Sequence, residues 1–258
     1  MLAVTLSPSK DENNLDGTLP TELGCLTDLV DLDFDGNLEL SSTIPDFFSD
    51  LKNLESFDID QNAFVGSLPP SLFDATSLMS LDMDSNQITG SIPEDIKYLK
   101  DLTLLLLDKN KITGSIPKGL GNVDDLTFVT LNDNLLTGSI PDTLAKHTNL
   151  KVLQLHNNAN QARTQGLEGE IPTFFGNFQD LELLSLFNTT LSGTIPTQLG
   201  RLTNLRNLFL HNTDLMGPMP QEICNLRTQG NLGQLTADCS GPNPRVQCPQ
   251  PSCCTACF

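Results

Sequence analysis

Three groups of side chains in this sequence are equipped for chemistry. Six of the seven cysteines, Cys224, Cys239, Cys248, Cys253, Cys254 and Cys257, fall within the last 35 residues. Such crowding is the pattern of a disulfide-stapled end, and hence of an oxidising compartment. Zinc is the alternative, but it rests on the single Cys254-x2-Cys257 pair, with no second knuckle and no histidine nearby. No metal is therefore expected. Asp31, Asp33, Asp35, Asp58, Asp60, Asp82 and Asp84 form an alternating carboxylate series that could be plain solvated charge, attract a basic partner, or offer oxygens to Ca²⁺. The three histidines have no Ser or Cys partner at a triad spacing. Gly119-Leu120-Gly121 lacks the third glycine of a dinucleotide loop, and Walker, HExxH, GxSxG and kinase signatures are absent. The chain is expected to be no enzyme and to need no cofactor.

Composition bounds the partners. Hydrophobic residues make up 38% and charged residues 18%, enough for a core and against wholesale disorder. With 32 acidic against 14 basic side chains the formal charge is −18, which repels nucleic acid and anionic membrane surfaces and attracts basic proteins or peptides. No apolar run approaches 18 residues, so any membrane attachment lies outside this segment. Met1 to Leu6 is too short for a secretory leader and carries no basic flank. The cysteine usage and the missing leader agree if the sequence is part of a longer chain whose mature form is extracellular or at the cell surface.

The elements that must position these groups are announced by proline. Prolines at 20, 45, 69, 93, 117, 141, 172, 196 and 220 are separated by 25, 24, 24, 24, 24, 31, 24 and 24 residues, a period that marks a solenoid. One unit reads Leu78-x-x-Leu81-x-Met83-x-x-Asn86-x-Ile88-x-Gly90-x-Ile92-Pro93; the next repeats it from Leu102 to Pro117. Over about residues 2–226 this resembles the plant-type leucine-rich repeat, LxxLxLxxNxLxGxIPxxLGxL. The resemblance implies an α/β-type repeat fold: a right-handed solenoid of about nine 24-residue repeats with a parallel concave β-sheet. It also implies a recognition module similar to the ectodomains of receptor-like proteins and receptor kinases. A secreted inhibitor of a cell-wall hydrolase is the first alternative. An ice- or polysaccharide-binding surface is the second, and it wants one small polar residue repeated in each unit, which the mixed concave columns do not supply.

Each position has a physical reading. Pairs such as Leu105 and Leu107 point inward from a short strand. Asn37, Asn62, Asn86, Asn110, Asn134 and Asn158 are placed to satisfy buried backbone groups, and the Thr189 and Thr213 that replace them predict looser turns. The Ile-Pro steps favour extended backbone before Pro, and the resemblance implies a second short strand there. Repeat one is incomplete, with extra residues before Asn13. Repeat two carries one extra residue between Asn37 and Pro45. Repeat seven carries seven between Asn158 and Pro172, including Asn160, Gln161, Arg163, Thr164 and Gln165; these are either a tolerated surface insertion or a rim loop over the binding face.

Framework residues are spent on the core, so specificity falls to the outward strand positions. Three columns result. The first runs Asp31, Ser56, Ser80, Leu104, Phe128, Val152, Leu183, Asn207. The second runs Asp33, Asp58, Asp82, Leu106, Thr130, Gln154, Ser185, Phe209. The third runs Asp35, Asp60, Asp84, Asp108, Asn132, His156, Phe187, His211. The predicted ligand-binding face thus has an acidic N-terminal third, where stacked like charges cost about 0.8 kcal/mol per pair in water. Its later part carries Leu104, Leu106, Phe128, Val152, Leu183, Phe187 and Phe209, edged by His156 and His211. Replacing Phe128 and Phe187 by Ala is expected to abolish binding without loss of thermal stability. After the solenoid (1–226), residues 227–258 read as one capping strand and a Cys-rich flank, with Cys224 expected to bridge Cys239. Cys25 reads as a buried thiol or the partner of a cysteine outside this segment, and Asn188-Thr189-Thr190 as one glycosylation sequon.

Overall fold

The computed structural model describes residues 4–6, 15–160, 162–249 and 253–258. The expected extras before Asn13, and Gln161 of the insertion, lie outside the described residues.

The alternating apolar pairs make strands, and the strands stack. Eleven of them form one parallel sheet in chain order. Nine belong to the repeats: Val4–Leu6, Leu29–Asp33, Ser56–Asp58, Ser80–Asp82, Leu104–Leu106, Phe128–Thr130, Val152–Gln154, Leu183–Ser185 and Asn207–Phe209. Inward residues align row by row: Leu32, Phe57, Leu81, Leu105, Val129, Leu153, Leu184 and Leu208 are partners in register and all are buried.

After the strand, each repeat turns at its asparagine. Asn86 donates from Nδ2 to the carbonyl of Ile59 in the preceding repeat (2.8 Å) and to those of Met83 and Asp84, while its Oδ1 accepts from the Phe64 N–H (3.0 Å). Asn110, Asn134 and Asn158 repeat this set, each binding the next coil to the last. The extra residue of repeat two breaks the pattern. The Leu40 N–H turns instead to the Asn37 carbonyl, and Asn62 Oδ1 is left buried without a partner among the described residues.

Beyond the turn, the predicted second strands pair in parallel on the flank, in runs such as Leu167–Glu170, Thr190–Thr194 and Asp214–Pro218. Prolines 69, 93, 117, 141, 172 and 196 then sit at N-cap positions of short 3₁₀ turns on the convex side. There a fixed φ and a missing N–H do no harm. Gly119 and Gly121 lie in one such turn, and a Cβ on either would come within 2.4 Å of the neighbouring turn's backbone oxygen. These glycines set how closely adjacent coils pack.

The C-terminal end departs from expectation in three ways. The last convex element is an α-helix, Gln221–Gln229, which crosses residue 226. Two strands, not one, cap the sheet: Gln234–Ala237 and then Ala256–Cys257, and Thr255, just before the second, is hydrogen-bonded to Leu235 of the first. Finally, Cys224 bridges Cys253, not Cys239. Cys224 faces the core from the helix, and the returning flank brings the equally buried Cys253 to it. Cys239 pairs with Cys257 because the last two strands end side by side, Ala237 opposite Cys257. Cys248 closes a short loop with Cys254. Cys25 is exposed and free, not buried.

Thr189 and Thr213 do not loosen their turns. Each hydroxyl donates within its own turn, to Leu186 and Leu210 carbonyls (2.8 Å each). Further bonds at these turns come from outside the repeat. Arg163 of the repeat-seven insertion binds the Thr189 carbonyl (2.7 Å), Arg245 of the flank binds that of Thr213 (2.8 Å), and both guanidinium groups converge on Asp214. Asp238 accepts from the Asn212 and Thr213 N–H groups. The insertion therefore buttresses repeats eight and nine through Arg163.

If the asparagines bind coil to coil as described, Asn110→Ala should cost about 2–4 kcal/mol in urea unfolding, since it leaves a buried N–H and several carbonyls unpaired. Asn62→Ala, whose Oδ1 already lacks a partner, should cost roughly 1 kcal/mol less.

Candidate functional site

Strand register settles the columns. Asp31, Ser56, Ser80, Leu104, Phe128, Val152, Leu183 and Asn207 are successive partners, as are Asp33, Asp58, Asp82, Leu106, Thr130, Gln154, Ser185 and Phe209. The third column lies just past the strand ends and is stitched by backbone bonds, for example from Asp133 N–H to the His156 carbonyl and from Asn157 N–H to that of Phe187.

The apolar half is organised as two rails. One is Leu104, Phe128, Val152 and Leu183, contiguous and half-buried. The other is a stack of rings: His156 on Phe187 (4.3 Å between centroids), Phe187 on His211 (4.6 Å) and His211 on Phe258 (4.1 Å), with interplanar angles of 19°, 8° and 21°. Between them Thr130, Gln154 and Ser185 form a polar floor, with Leu106 and Phe209 at its two ends. Thr130 and Ser185 are buried, and Ser185 Oγ has no partner among the described residues. Face-to-face stacking turns the ring edges, not the faces, toward the concavity. Burial lowers the pKa of both histidines, against the pull of Asp133 on His156 and of Asp238 on His211, so the stack is neutral at pH 7.

Phe258 was not foreseen. It belongs to no repeat and reaches His211 only because the flank returns to the sheet as a strand. Asp133, Asn157 and Asn188 were also missed as a set. Each follows the third column in the left-handed region (φ 53°, 54° and 49°), where Asn and Asp are tolerated best. Asn157 donates to Asp133 and Asn188 Nδ2 to Asn157 (3.0 Å). The sequon asparagine is thus half-buried, with its amide engaged.

The carboxylate ladder is less solvated than a surface strip. Asp33, Asp58 and Asp82 each accept the N–H two residues on, at Asp35, Asp60 and Asp84, so they shape the turn as well as charge it. Burial, with added repulsion from neighbouring carboxylates, raises Asp58 and Asp82 to about 7. Asp84 rises for the same first cause. Among the described residues, no three Asp, Glu or His side chains converge closely enough to hold an ion, and Phe187 separates the rings of His156 and His211.

Residues 52–112 match the leucine-rich repeat family model. Among curated protein sequences, none matches. Among solved structures, the plant peptide hormone receptor RGFR1, solved in complex with RGF2, is 31% identical with a TM-score of 0.75, over 91% of this chain and 40% of that one. A TDR receptor is 32% identical (TM-score 0.79, 90% and 37%). The ectodomain of the Arabidopsis receptor kinase HAESA, in complex with an IDA peptide hormone, is 30% identical (TM-score 0.78, 92% and 37%). A plant ice-binding protein at 24% identity and TM-score 0.64 shares the fold. The chain spans 37–40% of the length of the three receptors.

Two outcomes follow from this geometry. A carboxyl whose folded pKa lies above its unfolded value stabilises fully at low pH and loses that contribution as pH rises through the folded pKa. The double variant Asp58→Asn, Asp82→Asn keeps the turn-capping oxygen and should melt about 2–5 °C above the parent at pH 8, with the gap narrowing as pH falls through about 7 and closing only near pH 4. In contrast to the sequence expectation, Phe187→Ala should cost about 1–2 kcal/mol, because its ring loses two stacked partners.

In fold and in repeat pattern, this chain is a leucine-rich-repeat solenoid, similar to part of the ectodomains of plant receptor kinases.

Proposed function

We propose that the chain is a non-catalytic recognition module, part of a cell-surface receptor-like protein. It binds a peptide or protein ligand along the concave sheet. The observation that carries this is the pair of in-register apolar rails flanking a polar floor. Strands about 4.8 Å apart and an extended peptide rising about 3.3 Å per residue let side chains of one ligand reach several repeats. Apolar side chains seat against Leu104, Phe128, Val152 and Leu183 on one side and the ring edges on the other. Gln154 faces the ligand backbone, while the Thr130 hydroxyl is committed to Asp108 and Ser185 lies buried beneath.

The acidic end sets direction. Asp31, Asp33, Asp35, Asp58, Asp60, Asp82 and Asp84 favour a basic terminus toward repeats two to four, and their charge acts mainly on association rate. Three supports bear on the reading: similar plant receptors are solved in complex with RGF2 and with an IDA peptide hormone, the chain carries three disulfides, and its charge of −18 suits a basic partner. The disulfides suit an extracellular location, with any membrane anchor in a segment outside this sequence. Asn188 is the proposed glycosylation position, at the rim of the ring stack.

The test is selection of peptides from a random display library against the folded chain. The enriched peptides should carry apolar anchors with Lys or Arg at one end. They should lose roughly tenfold or more in affinity to Leu106→Asp or Phe128→Ala. Peptides that bind both variants as tightly as the parent would contradict the concave-face reading.

A further inference from the structure

The Cys-rich flank supplies in space what its spacing lacks in sequence. Cys254-x2-Cys257 alone offers half of a zinc site. Folding brings Cys239 and Cys248 to it, and the four Sγ atoms all lie within 4.8 Å of one another. They are held as two bridges, Cys239–Cys257 and Cys248–Cys254, so each member of the Cys254-x2-Cys257 pair is already joined to one member of the other arm. The third bridge, Cys224–Cys253, stands outside the four.

A tetrahedral zinc tetrathiolate with Zn–S near 2.3 Å places its sulfurs about 3.8 Å apart. The unbonded sulfurs need to close by at most about 1 Å to reach that spacing, and the bonded ones to open once their bonds are cut. Rotation about the cysteine side-chain bonds covers such shifts. The ends of the arms are set independently of the sulfurs: Cys257 lies in a sheet strand and Cys239 two residues beyond Ala237, its register partner.

We propose that Cys239, Cys248, Cys254 and Cys257 form a two-state site, two disulfides when oxidised and one four-coordinate zinc site when reduced. The conversion balances. Two molecules of a dithiol each pass two electrons and two protons to one bridge, giving four cysteine thiols and two oxidised dithiols. Zn²⁺ then binds four thiolates as four protons leave to solvent. Either state ties the last strand, Ala256–Cys257, to the loop after Gln234–Ala237, so the exposed end of the sheet stays covered in both.

The experiment is cobalt substitution. The full chain is reduced with a phosphine, freed of reductant under nitrogen and titrated with Co²⁺ alone, then with Zn²⁺. Expected are one Co²⁺ per chain, the ligand-field bands of a tetrahedral thiolate site, and their loss to equimolar Zn²⁺. Cys248→Ser and Cys257→Ser should each abolish the tetrathiolate spectrum. The double variant Cys224→Ser, Cys253→Ser should keep it. The proposal is overturned if the reduced chain gives only octahedral cobalt. It is equally overturned if the bands survive Cys248→Ser or vanish in the Cys224, Cys253 double variant.

Discussion

The constraint on which this molecule depends is the register between successive coils, held by the buried asparagines. Each Asn amide binds carbonyls of its own turn and of the preceding one, and its oxygen takes an N–H from the preceding repeat. Because strand side chains alternate faces, a slip of one residue would put the leucines in solvent and the recognition columns in the core. The same lock that buries Leu105 therefore lines up Leu104 with Phe128 and Val152. At Thr189 and Thr213, where the amide is missing, Arg163, Arg245 and Asp238 add bonds to the turn's own backbone. At Asn62 the amide oxygen has no partner among the described residues.

Register also polarises the concave face. Carboxylates occupy its first strands and apolar rails its later ones, so a ligand meets a charge gradient along the solenoid. The acidic part is a conditional charge, since burial holds Asp58 and Asp82 near the point of half-ionisation at neutral pH. Their turn-capping bonds explain how aspartate persists in positions it fills poorly as a strand former. The ring stack adds rigidity at the other end: His156, Phe187, His211 and Phe258 support one another, so little side-chain freedom remains to be lost on binding.

Most of the fold was legible in the sequence because a repeat states each rule many times. The proline period, the inward pairs, the asparagine turns and the three columns all required only counting and the period-two geometry of strands. What was not legible happens once. Phe258, the second capping strand and the Cys224–Cys253 bridge depend on how a proline-rich flank returns to the sheet, and nothing repeats there to fix a register. Arg163 was visible as part of an insertion, but its bond to Thr189, 26 residues on, is a tertiary fact. The raised aspartate pKa values were hidden too, since they come from burial and from carboxylates on neighbouring strands.

The central claim is that ligand contact falls on the rails of the concave sheet. Hydroxyl-radical footprinting of the chain with and without a selected peptide reads this directly, residue by residue. Phe128, Phe187, Phe209 and Leu183 should be protected in the complex, while the exposed Tyr98 and Met216, which lie outside the three columns, should react as in the free chain. Protection of Tyr98 or Met216 with unchanged reactivity at Phe128 and Phe187 would contradict it.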